Sequence, residues 1–142
     1  MSLPAACCAL IALAVTLTAS LPAGADEPPA LRAGLWEFER AGGGQKLRAQ
    51  ECVSPNEAMQ RQNALLEKNG CTLSPGQRAG KTYTFSAECR IKPLDGATVT
   101  VRSTSVMTAE NDSAYKVEIT TVGAGTSTQE LLLARRLGEC TK

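Results

Sequence analysis

"CTLSPGQRAGKTYTFSAEC", residues 71–89, decides how this chain folds. Cys71 and Cys89 lie at equal distances either side of Gly80. The second half runs on as "KTYTFSAECRI" (81–91), with Tyr83, Phe85, Ala87, Cys89 and Ile91 alternating against polar residues. Strict alternation is the signature of a strand with one buried and one wet face. In a hairpin centred near Gly80, Cys71 falls opposite Cys89. Pro75 has no backbone N–H to donate to a ladder and belongs at an edge or a bulge. Pairing is therefore expected to fail between Ser74 and Lys81, leaving a broad polar loop.

The same period extends outward. "GLWEFER" (34–40) puts Trp36 and Phe38 on one face and Glu37 and Glu39 on the other. "AGGG" (41–44) is a turn, and "QKLRAQEC" (45–52) alternates again, completing a hairpin. Residues 98–107, 114–122 and 127–137 give three more strands, separated by "ENDS" (110–113) and "GAG" (123–125). Residues 71–73 form a further short one.

Only "VSPNEAMQRQNALLEKNG" (53–70) changes period. Ser54 suits an N-cap, Pro55 the first helical position, and Glu57 completes a capping box with Ser54. Gly70 supplies a left-handed stop. The predicted class is α+β: a twisted antiparallel β-meander of six to seven strands with one helix packed on it. Such a sheet must bury one face, so it is expected to twist strongly and to be able to curl into a partial barrel.

Residues 1–25 read as a secretory signal peptide. No charged side chain occurs before Asp26, an apolar stretch runs from Ala5 to Leu17, and Ala23-Gly24-Ala25 is a small-residue cleavage site. Leu3 to Leu21 also has about the ~20 residues of a membrane span. Pro22 and the small-residue site favour cleavage. Cys7 and Cys8 would leave with the signal. Residues 26–32 read as a flexible lead-in and 33–142 as a single disulfide-stapled domain.

The chain has 15 basic and 14 acidic side chains, a formal charge of +1 and no histidine. It has no field to steer a polyanion. Its aromatics (Trp36, Phe38, Tyr83, Phe85, Tyr115) are too scattered for a base-stacking platform. Nucleic acid is not expected as a partner, nor a membrane after signal cleavage. Lack of histidine removes the Ser-His-Asp triad and the commonest general base.

After processing, Cys52, Cys71, Cys89 and Cys140 remain. Four cysteines in an exported domain read as two disulfides. A zinc site would want paired cysteines or histidines, and a thiol oxidoreductase a C-x-x-C motif. Neither pattern is present, so neither metal nor cofactor is expected. Cys52 and Cys71 flank a helix of roughly 22 Å, whereas bonded cysteines have Cα atoms about 4.4–6.8 Å apart. That pairing is discarded. Cys71–Cys89 with Cys52–Cys140 is preferred, and Cys71–Cys140 with Cys52–Cys89 stays open.

Few residues suggest chemistry. Glu37, Glu39 and Asp95 are candidates for carboxylate-based hydrolysis, although strand glutamates on a wet face are normally just solvated. "AGGGQK" (41–46) lies between strands and not before a helix, so it reads as a turn and not as a phosphate loop. Arg135 and Arg136 are neighbours in an alternating strand. One of them must face the core side, or the strand must bulge.

"GLWEF" (34–38), "QEC" (50–52), "GC" (70–71), "YTFSAEC" (83–89) and the terminal "RRLGEC" (135–140) together resemble the small proteobacterial secreted proteins grouped as a domain of unknown function, DUF family 3617. The resemblance spans about residues 32–141. It implies a periplasmic or exported single domain in which these cysteines recur. It implies no activity, cofactor or catalytic residue.

The leading expectation is a non-enzymatic periplasmic module of a Gram-negative bacterium. It would bind a protein or an apolar small molecule on its curved sheet. The alternative is an inhibitor of an exported hydrolase, of protease or lysozyme type, using residues 74–81 or 109–114 as a rigid loop. A carboxylate hydrolase comes last.

Overall fold

The computed structural model describes residues 24–141. The segment read as a signal peptide lies outside the described residues, apart from its last two. Among the described residues no helix is long and apolar enough to cross a membrane. The elements are β1 (Gly34–Gly42), β2 (Gln45–Val53), α1 (Pro55–Lys68), β3 (Thr72–Leu73), β4 (Gln77–Ala79), β5 (Thr82–Ile91), β6 (Val99–Asn111), β7 (Ala114–Gly123) and β8 (Thr126–Gly138).

All eight strands share one sheet in the order β2-β1-β8-β7-β6-β5-β3, with β4 also paired to β5. Every pairing is antiparallel. The sheet does not close into a barrel, because β2 at one end and β3 with β4 at the other have no shared ladder. The fold is thus a mainly antiparallel sheet with one helix, and it has eight strands where six or seven were predicted.

The extra strand is β4. Leu73 faces Ala87, but Gln77 faces Thr84. The chain between them therefore carries one more residue than its partner, which is a bulge at the sheet edge. Pro75 sits in this bulge. Past it, pairing resumes to a two-residue turn at Gly80–Lys81, with Gly80 at φ 61°. The expected broad polar loop is absent, since a single bulge absorbs the missing proline donor. Ser74 repairs the gap: its N–H donates to Ser86 O at 2.8 Å, and its Oγ accepts from Ser86 N–H at 2.8 Å.

The lead-in is docked, contrary to the flexible reading of residues 26–32. Asp26 N–H donates to Gly76 O, and its carboxylate accepts from Arg78 N–H at 2.7 Å. Asn56, in the first turn of α1, donates to Pro29 O and accepts from Leu31 N–H. Arg32 O accepts from the Trp36 indole. Pro29 and Leu31 are buried. Burial of these apolar side chains, with backbone groups satisfied by Asn56, holds the segment against the domain.

The helix begins after Ser54, yet the Ser54 side chain makes no capping bond. The anticipated capping box does not form, while Pro55 takes the first helical position, where its missing N–H costs no intrahelical bond. The other end stops as expected. Gly70 has φ 82°, Gly70 N–H donates to Glu67 O and Cys71 N–H to Leu66 O. This is a Schellman stop with glycine in the left-handed position.

The fully packed core is small and lies toward one end of the sheet. Trp36 is completely buried and belongs to one cluster with Tyr83, Met107, Tyr115, Val117 and Ala134. Trp36 on β1 and Tyr115 on β7 come within 5.5 Å between ring centroids, although β8 runs between their strands. The β8 residue facing Tyr115 is Ala134, small enough to let the rings meet. Bulges at Leu35/Trp36 and at Ala109/Asn111 bend the sheet at this end.

Two disulfides fasten the elements. Cys71–Cys89 has its Cα atoms 4.2 Å apart and ties the exit of α1 to β5. Cys52–Cys140 has its Cα atoms 5.7 Å apart and ties the end of β2 to the chain just past β8.

Candidate functional site

The register fixes which side chains share the inner face of the sheet. One row runs Arg40, Leu132, Val117, Met107, Tyr83 across β1, β8, β7, β6 and β5. The next row holds Glu130, Ile119, Ser105 and Phe85. The row after that is Thr128, Thr121, Ser103 and Ala87. On β7 and β8 apolar character near the core gives way to hydroxyls toward their shared turn, whereas β5 and β6 carry Ala87, Cys89 and Val101 at that end.

The α1 helix crosses this face without filling it. Its apolar stripe is thin, and Pro55 is its one buried residue. Met59 packs on the core, whereas Leu65 is half exposed. The helix backbone approaches the sheet mainly at β3. The result is a cleft of about 660 Å³ between α1 and the sheet. Ala58, Met59 and Leu66 line it from the helix, and Phe38, Val117 and Leu132 from the sheet. This volume falls within the range of about 300–1,000 Å³ typical of small-molecule sites.

The outer face is of another kind. Glu37 and Arg135 face each other across β1 and β8. Arg135 Nε and Nη2 donate to Glu37 Oε1 at 2.9 and 2.6 Å, and Gln50 Nε2 donates to Oε2 at 3.1 Å. The Arg135 hydrogen bond first, then that of Gln50, holds the Glu37 carboxyl below the usual glutamate value. Arg48 donates to Glu39 at 2.8 Å, and Lys46 stands 3.6 Å from it. These lower the Glu39 carboxyl too, the Arg48 bond most.

Glu37 and Glu39 are thus brought together as a pair of ionised, arginine-bound carboxylates on a wet face. A glycosidase needs one carboxyl with a raised pKa to protonate its leaving group. Asp95 lies apart from both, on the exposed β5–β6 turn, four strands along the sheet from β1.

The two arginines divide as alternation requires. Arg135 points outward to Glu37. Arg136 shares Trp36's side of the sheet, its side chain 10% exposed, and donates to Ala33 O at 2.9 Å while pairing with Glu139. Its stem covers the end of the core and its head reaches polar partners at the sheet's end.

"AGGGQK" forms the β1–β2 turn, with Gly43 and Gly44 at φ 57° and 79°. Residues 74–81 hold the bulge and β4. Residues 109–114 hold a tight turn in which Asn111 Oδ1 accepts from Ser113 N–H. Neither segment projects as an extended loop. Among the described residues no group of three or more His, Cys, Asp or Glu side chains could hold a metal ion.

Of the four cysteines, Cys89 lines the cleft, and its bond to Cys71 closes the cleft's β5 side. None of the remaining lining residues was singled out from sequence as a ligand contact. Their signal was present as the inward positions of β6–β8, but alternation reads the same whether a face is packed or open.

A family model described as "Protein of unknown function (DUF3617)" matches residues 31–140. The chain belongs to the DUF3617 family. The match begins at buried Leu31 and ends at disulfide-bonded Cys140, so it covers the sheet, the helix and both disulfides. No curated protein and no solved structure gives a significant match to this DUF3617 member.

Proposed function

We propose that this DUF3617 protein is an exported, non-enzymatic module that binds a small, largely apolar molecule between α1 and the inner face of its sheet. One observation carries the reading: the cleft of about 660 Å³, walled by apolar side chains from both the helix and the sheet. An apolar surface of this kind gains free energy when a ligand displaces its water. The disulfides and the leader read from the sequence support an oxidising compartment, the periplasm, as its location.

Nile red, an uncharged apolar dye, tests the reading. Its emission should rise and shift to the blue on adding the oxidised protein. Ala58 lines the cleft from the helix, so Ala58→Trp should fill the space and abolish the response. Equal responses from wild type and variant would place the dye elsewhere and remove the basis of the proposal.

A further inference from the structure

Resting on that same cleft, we infer that its ligand is an uncharged amphiphile: an alkyl or acyl chain carrying a neutral hydroxyl- or ester-type head. The register gathers hydroxyls on β6 and β7 within a lining that is otherwise largely apolar. Met107, Val117, Leu132 and Phe38 form an apolar end beside the core. Ser105, Ser103 and Thr121 follow in the next two rows, beside Ile119, Phe85 and Ala87, with Val101 and Cys89 beyond them. From Met107 to Ser103 is four residues along β6, about 13 Å of strand.

Ser105 is the buried polar residue of the described domain, and it lines the cleft. Thr121 Oγ1 donates to Ser103 Oγ at 3.3 Å, which leaves Ser103 able to donate and Thr121 able to accept. Gln62 and Asn63 add amide groups from the helix. These groups suit a head that both gives and takes hydrogen bonds without charge.

Charge argues the same way. Three charged side chains line the cleft: Arg40, Glu51 and Glu130. Arg40 already stands 3.8 Å from Glu130. Glu51 has no ion-pair partner among the described residues. An anionic head would enter a lining with two carboxylates and one occupied guanidinium, and would lose its hydration without a counter-charge. A cationic head would find Glu51, but that residue is exposed at the surface, where a single charge contact is weak. Apolar side chains take the tail and hydroxyls the neutral head.

Three probes with the same dodecyl tail separate the heads: monododecanoylglycerol, dodecanoate and dodecyltrimethylammonium. Each is titrated below its micelle concentration into the oxidised protein and followed by calorimetry. Monododecanoylglycerol should bind at least about tenfold tighter than either charged probe, the cost of desolvating an uncompensated charge being well over one hydrogen bond. The double substitution Ser103→Ala, Thr121→Val should weaken it about tenfold and leave the two charged probes little changed.

Equal or tighter binding of dodecanoate or of the ammonium probe overturns this inference while the cleft reading stands. Binding of none of the three overturns both. The wild-type ranking decides by itself if the double variant fails to fold.

Discussion

Removing the Cys71–Cys89 bond, by Cys71→Ser with Cys89→Ser, tests how the domain keeps its helix in place. The bond closes a loop spanning 18 residues, and Cys52–Cys140 one spanning 88. If a disulfide acts by limiting the unfolded chain, the two losses are about 3.2 and about 4.6 kcal/mol. Urea unfolding at neutral pH reads both. With a slope of about 2 kcal/mol per molar, the midpoints should fall by about 1.6 and about 2.3 M. The shorter bond has a second effect that the longer one lacks. It anchors the exit of α1, where Cys71 N–H completes the helix stop. Nile red emission should therefore fall in the Cys71/Cys89 variant under conditions where circular dichroism still reports a folded sheet. It should survive in the Cys52/Cys140 variant. A short-loop loss equal to or larger than the long-loop loss would refute the unfolded-chain argument. Unchanged dye binding would refute the anchoring role.

Burial pushes the Tyr115 phenol up to about 12, from an ordinary 10.0. Its contribution is whole below pH 10 and is lost as pH rises from 10 through 12, about 3 kcal/mol in all. Tyr115→Phe should flatten that alkaline loss in unfolding free energy measured across the same window. Arg135→Ala should let the Glu37 carboxyl rise toward 4.5, from its depressed value. Carbon-13 NMR titration of the side chain reads this directly, and an unmoved titration would mean that the Arg135 bond does not form in solution. Ala124 holds φ 50° in the β7–β8 turn, a left-handed position. Ala124→Gly should relieve about 1 kcal/mol of strain and raise the melting temperature.

Much of the sheet is legible in residues 34–52 and 81–137, because an antiparallel sheet with one wet face writes its period into the sequence. Tyr83, Phe85 and Ala87 alternate with Thr84, Ser86 and Glu88, and the structure places them on opposite faces. Gly70 was legible for a different reason, since few residues other than glycine take a left-handed helix stop. β4 was not legible. "QRA" (77–79) has no apolar alternation, it follows Pro75-Gly76, and its pairing is dictated by β5 across the turn. The docking of residues 26–32 was hidden for a similar reason. It depends on Asn56, which reads locally as a helix residue while both ends of its amide hold a segment far away in sequence. The cleft itself has no local signal. It exists because a thinly apolar helix crosses a sheet whose inner face turns from Met107 and Val117 to Ser103 and Thr121. That is a relation between elements, set by the connection through Cys71 and by the register of β6 with β7.

Photo-crosslinking tests the central claim most directly. An uncharged monoacylglycerol bearing a diazirine in its alkyl tail is bound to the oxidised protein, illuminated, and the labelled residues are identified by peptide mass spectrometry. The account predicts labels on Met59 and Leu66 of α1 and on Val117 and Leu132 of the sheet, all competed away by unlabelled monododecanoylglycerol. Labels confined to the outer face around Glu37 and Arg135, or to exposed Leu94 on the β5–β6 turn, would contradict it.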